Sequence, residues 1–160
     1  MNTAKLITAG LLLAISGAAL ADSVETSPYK MVVISDIPGV DAIQSGDIAQ
    51  GLAIMQNADI ENYSRNLNLC VGYTKLSQFE DAEKACTKAV YSASHSSNEP
   101  DAELRAYAYN NRGVMKLMAN DNLGALEDFK RAAKAAKNQI YKHNLARLET
   151  ALNGADVTSF

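Results

Sequence analysis

A chain of 160 residues, 48% of them apolar, is long enough for one domain with a buried core. Its 15 basic and 18 acidic side chains leave a formal charge of −3, which argues against binding driven by nucleic-acid phosphates and offers no polybasic attraction to an acidic membrane surface. Tryptophan is absent and proline is nearly confined to the first third, so the remainder is free to be helical.

Residues 1–21 have the order of a secretory signal peptide. One positive charge at Lys5 precedes an apolar run from Leu6 to Leu20, and Ala19-Leu20-Ala21 offers the small-x-small pattern for cleavage. The alternative is a membrane anchor, for which the run is on the short side and ends in a cleavage site. No cysteine follows it, which argues against a bacterial lipid anchor. The expected product starts near Asp22, is periplasmic or secreted, and has no membrane span after cleavage.

Residues 22–40 read as an N-terminal tail. Asp22–Pro28 is polar and unpatterned. Met31–Ile34 is a short β-branched run, either extended or packed on the first helices, and Asp36–Gly39 is a turn. From Asp41 a period near 3.6 begins, so residues 41–153 are predicted to be a helical domain. Ile48, Leu52, Met55 and Ala58 form the first stripe; Asp59–Leu76 is the next helix. Ser77-Gln78-Phe79-Glu80 has the form of a capping box and predicts a fresh helix start at a tight turn. The helix it opens carries Phe79, Ala82, Cys86, Ala89 and Val90 on one side. A polar loop over Ser92–Pro100 separates it from a helix over Asp101–Met118, which Asn120-Asp121-Asn122 breaks. Two more helices are expected over Leu123–Ala136 and Gln139–Leu152, the last stopped by Asn153-Gly154. Residues 154–160 are a C-terminal tail.

These pieces repeat. Asn68, Asn111 and Asn144 each stand two residues before a small side chain (Cys70, Gly113, Ala146), at intervals of 43 and then 33 residues, the longer one holding the Ser92–Pro100 loop. Ala82 and Ala89, and again Ala125 and Ala132, lie two turns apart on the helix that follows. On these residues the chain resembles the tetratricopeptide repeat (TPR) family over about residues 45–152. One unit matches at Leu69, Cys70, Tyr73, Phe79, Ala82 and Ala89; the next matches at Tyr109, Gly113, Ala125, Phe129 and Ala132. Arg112 and Lys116 depart from the pattern, where Leu and Tyr are expected, and predict an unusually polar helix contact. Ser45–Ile48 is similar to the family's inter-helix turn, and the last helix to a closing half-unit.

The resemblance implies an all-α fold of antiparallel helical hairpins stacked as a short TPR-like right-handed solenoid. It also places Cys70 and Cys86 face to face on the two helices of one hairpin, which after export would join as a disulfide; the alternative is two buried free thiols. It further implies a concave groove that takes a protein or peptide, lined by Asn68, Tyr107, Asn110, Asn111, Val114, Met118, His143, Asn144 and Arg147. An asparagine amide both donates and accepts, so Asn68, Asn111 and Asn144 either hold a peptide backbone or brace neighbouring helices. The positions one turn earlier are Ser64, Tyr107 and Ile140, none basic, which argues against grip on a C-terminal carboxylate.

Catalytic signatures are missing from the sequence. It has no Cys-x-x-Cys, no Gly-rich phosphate loop, and no paired histidines for a metal, since His95 and His143 stand apart. The expectation is therefore a non-enzymatic protein- or peptide-binding scaffold or adaptor of the cell envelope with no cofactor or metal. The alternative is a structural accessory subunit of an envelope complex, or a homodimer, packed through a helical face.

Overall fold

The computed structural model describes residues 29–35, 37–59, 62–95 and 101–157, with side chains through 154. The signal peptide expected over residues 1–21, and the tail up to Pro28, lie outside them. The described residues form seven helices and no strand: α1 (Val40–Ser45), α2 (Ile48–Asn57), α3 (Tyr63–Lys75), α4 (Phe79–Ser94), α5 (Ala102–Met118), α6 (Asn122–Ala135) and α7 (Gln139–Val157). None of these helices is long and apolar enough to cross a membrane.

Polar side chains set the helix starts. Asp47, Asn62, Asp101 and Asp121 each accept a hydrogen bond from an amide in the first turn of α2, α3, α5 and α6. Each cap satisfies a donor that the helix itself cannot, and all but Asn62 put negative charge where the macrodipole favours it. At the opening of α1 the backbone turns left-handed at Gly39, φ 87°, and a β-carbon there would lie 2.5 Å from the carbonyl oxygen of Gly51. Glycine at both positions lets α1 and α2 close on each other.

The expected capping box at Ser77 is not formed. Ser77 is left-handed (φ 57°) and ends α3 instead of starting α4, whose cap residue Gln78 makes no side-chain cap. Its N–H donates to the Thr74 carbonyl at 3.0 Å, and the Gln78 N–H donates to the Tyr73 carbonyl at 2.9 Å. This pair of bonds is a Schellman ending, which satisfies two orphan carbonyls. Asn120 (φ 65°) ends α5 in the same way, with Asn120 bonded to Leu117 and Asp121 to Lys116. Asparagine tolerates this conformation better than serine does. Ser77→Gly should therefore raise the unfolding free energy by about 0.5–1 kcal/mol, read from the urea midpoint at unchanged slope.

One expected boundary is also corrected. α7 continues through Asn153 and Gly154 to Val157. A single glycine costs a helix only about 1 kcal/mol, and no proline follows to stop it.

Helices adjacent in sequence pack as hairpins, α1 on α2, α3 on α4 and α5 on α6, while α3, α5 and α7 lie side by side. Small residues permit the close approach. Ala82, Ala89, Ala125 and Ala132 are fully buried, and a β-carbon on Gly113 would sit 2.7 Å from the ring of Phe129. Cys70 on α3 and Cys86 on α4 are joined as a disulfide, with Cα atoms 4.8 Å apart and both residues fully buried.

Candidate functional site: a groove floored by asparagines

The row of α3, α5 and α7 presents one polar line to the inside. Asn68, Asn110, Asn111 and Asn144 are all 0% exposed. A buried amide is costly unless both its donor and its acceptor are used. Here both are, and the partner is the chain itself. Asn144 accepts from the Lys30 N–H at 2.9 Å and donates to the Lys30 carbonyl at 2.8 Å. Asn111 does the same for Val32, at 2.8 and 2.7 Å. Asn68 does the same for Ile34, at 3.0 and 2.8 Å. Asn110 ties the row together, donating to the Lys30 carbonyl and accepting from Asn144, each at 2.8 Å.

Three asparagines on three parallel-lying helices thus grip every second residue of one segment. That period of two is the signature of an extended chain, whose N–H and C=O groups at alternate residues point to the same side. The segment crosses from α7 over α5 to α3. Met31–Ile34 is therefore extended, and it packs across α3, α5 and α7 as well as near the first helices. Tyr29 stacks on Phe129 at 5.9 Å with 7° between the rings, under the Arg147 guanidinium. Met31 and Val33 pack on the core shared by α1–α4 and Met115 of α5, and Met31 also on the Phe129 cluster. Ile34 packs beside Leu67, Ala89 and Ala108.

The remaining expected groove residues divide. Val114 is buried in the Phe129 cluster. Tyr107 packs edge-on to Tyr141 at 6.2 Å, in a group with Tyr63 and Glu103. Burial first, then the nearby Glu103, pushes the Tyr141 phenol well above its ordinary pKa, and Tyr107 shifts the same way. Tyr141 donates to Glu103 at 2.9 Å. His143 and Arg147 are exposed and, with Tyr29, Ala146, Thr150 and Ala151, line an open cavity at the α7 end. Met118 is exposed at the end of α5, away from the asparagine row.

No protein-family model, curated protein or solved structure matches this chain.

Sequence reasoning identified the asparagines and their double-handed chemistry, but missed what they hold. A signal was present, since a β-branched run lying outside every helix, in a chain otherwise helical, needs partners for its backbone. An Asn111→Ala chain should lose about 2 kcal/mol of stability, because it strands the Val32 N–H and C=O. Amide exchange at Val32 and Ile34 should speed up while exchange in α4 changes only with global stability; equal protection of Val32 in both chains would overturn the assignment.

Proposed function

We propose that this chain is an exported, non-enzymatic scaffold of TPR-like hairpins, stacked as a short right-handed solenoid, that binds protein or peptide in extended form through its concave groove. The observation that carries this reading is the asparagine row, whose side chains on α3, α5 and α7 hold the backbone of alternate residues of an extended segment. Backbone bonds supply affinity with little dependence on sequence, and flanking pockets for alternate side chains supply selectivity. The disulfide between Cys70 and Cys86 supports export, since such bonds persist in oxidising compartments. The groove is occupied by residues 29–34 of the same chain, so a foreign segment must enter in their place against a tethered competitor.

That occupancy equally favours a second reading, a structural accessory subunit or homodimer in which the segment simply completes the core. The two readings part in one binding experiment. Val32→Pro removes the N–H that Asn111 accepts and loosens the resident segment. A dye-labelled synthetic peptide with the sequence of residues 29–34 should bind the folded Val32→Pro chain saturably and the wild type at least about tenfold more weakly. Binding should disappear when Asn111→Ala is added. No binding to a folded Val32→Pro chain would leave the structural reading.

A further inference from the structure

An extended chain has two edges, and the asparagine row satisfies only one. The N–H and C=O groups of Lys30, Val32 and Ile34 point to the groove floor. Those of Met31 and Val33 must then point the opposite way, out of the groove. Among the described residues none of these four groups makes a hydrogen bond. Unpaired backbone groups are tolerated only where water or another chain meets them. The result is a β-edge held rigid from below, in a Met-Val-Val-Ile stretch of high strand propensity.

We propose that this edge docks a second copy of the chain, whose own segment pairs with it antiparallel about a two-fold axis through Val32. The register follows from the bonding pattern. Met31 faces Val33 of the second copy, Val33 faces its Met31, and each pair exchanges two backbone bonds, so all four open groups are used on both chains. Val32 meets its symmetry mate between those pairs. Lys30 falls opposite Ile34, so no like charges oppose each other. An edge that is complementary to itself closes after two copies, as an isologous interface does. The inference rests on the seated segment alone and does not require the groove to accept foreign peptide.

Two measurements test it on the full exported chain with its disulfide intact. Sedimentation of the wild type should show a reversible monomer–dimer equilibrium. Val33→Pro, which removes an outward N–H and leaves the asparagine bonds in place, should weaken it by at least about tenfold. In the second, Val32→Cys keeps the bonds to Asn111 and puts two sulfurs across the axis. Facing residues at such a position have Cα atoms about 4.5 Å apart, within disulfide range. Mild oxidation should then yield a reducible dimer linked through Cys at 32, with a Lys134→Cys chain as control on α6. A wild type that stays monomeric at all concentrations would overturn the proposal, as would Val33→Pro dimerising like wild type, or Val32→Cys linking no faster than the control. Peptide uptake by the Val32→Pro chain, together with a wild type that stays monomeric, would retain the groove function and discard the edge.

Discussion

An Asp128→Ala chain should lose about 3 kcal/mol of unfolding free energy. Asp128 on α6 is 1% exposed and faces α5. Its carboxylate receives the Arg112 guanidinium through two bonds, Nε to Oδ2 at 2.8 Å and Nη2 to Oδ1 at 2.9 Å. The Lys116 ammonium lies 2.9 Å from Oδ2. Two-pronged arginine–carboxylate bonding is among the strongest polar contacts available to a protein. Hydrogen bonding to Asp128, opposed by desolvation, holds the Arg112 pKa above its ordinary value. Arg112 and Arg131 each also sit 5.5 Å from the Tyr109 ring centre. Removing the carboxylate leaves two cations against an apolar interface. Lys116 can turn to water, being 23% exposed, and this keeps the estimate at the lower end of the range for broken buried pairs. Urea titration of Asp128→Ala beside Lys116→Ala checks the argument. The lysine change should cost under about 1 kcal/mol, and equal costs for both would show that the arginine fork does not dominate.

Replacing both cysteines by alanine should cost a further about 3 kcal/mol, near 10 °C in melting temperature for a chain of this size. The bond spans 16 residues, and in the chain-entropy account a loop of that length restricts the unfolded ensemble by about this much. It also clamps α3 to α4 next to Asn68, so its loss should loosen the grip on Ile34 more than that on Lys30. Calorimetry with and without a reductant reads the first effect, and amide exchange at the two residues reads the second. If reductant leaves the melting temperature unchanged while mass mapping shows free thiols, the bond does not stabilise the fold. The two losses should add, because Cys70–Cys86 joins α3 to α4 and Asp128 joins α5 to α6, with no shared partner.

Much of this protein was decided locally and could be read from its sequence. Helices over 48–57, 63–75, 102–118 and 122–135 fall within a few residues of the spans read from apolar period, a matter of residues three or four apart, whereas α4 runs on to Ser94, into the stretch expected as a polar loop from Ser92. The pairing of Cys70 with Cys86, which the repeat resemblance implied with two free thiols as the alternative, is the disulfide, and the polar contact expected at Arg112 and Lys116 took the form of Asp128. Where two local signals competed, sequence misled. Ser77-x-x-Glu80 has the letters of a cap, but closing α3 needed a left-handed residue at that very position, and the turn used Ser77 for it. Asn153-Gly154 has the letters of a stop, but nothing there forces the helix to end.

What the asparagines hold was decided only by the tertiary structure. Their partners lie 34, 79 and 114 residues away, separations at which no periodicity or spacing carries information. Stacking α3, α5 and α7 side by side brings three amides into one line, and only that line can hold alternate residues of the extended segment. The chemistry of each asparagine belonged to the sequence. The row they form, the segment they grip and the edge that segment leaves open exist only once three helices far apart in the chain have packed against one another.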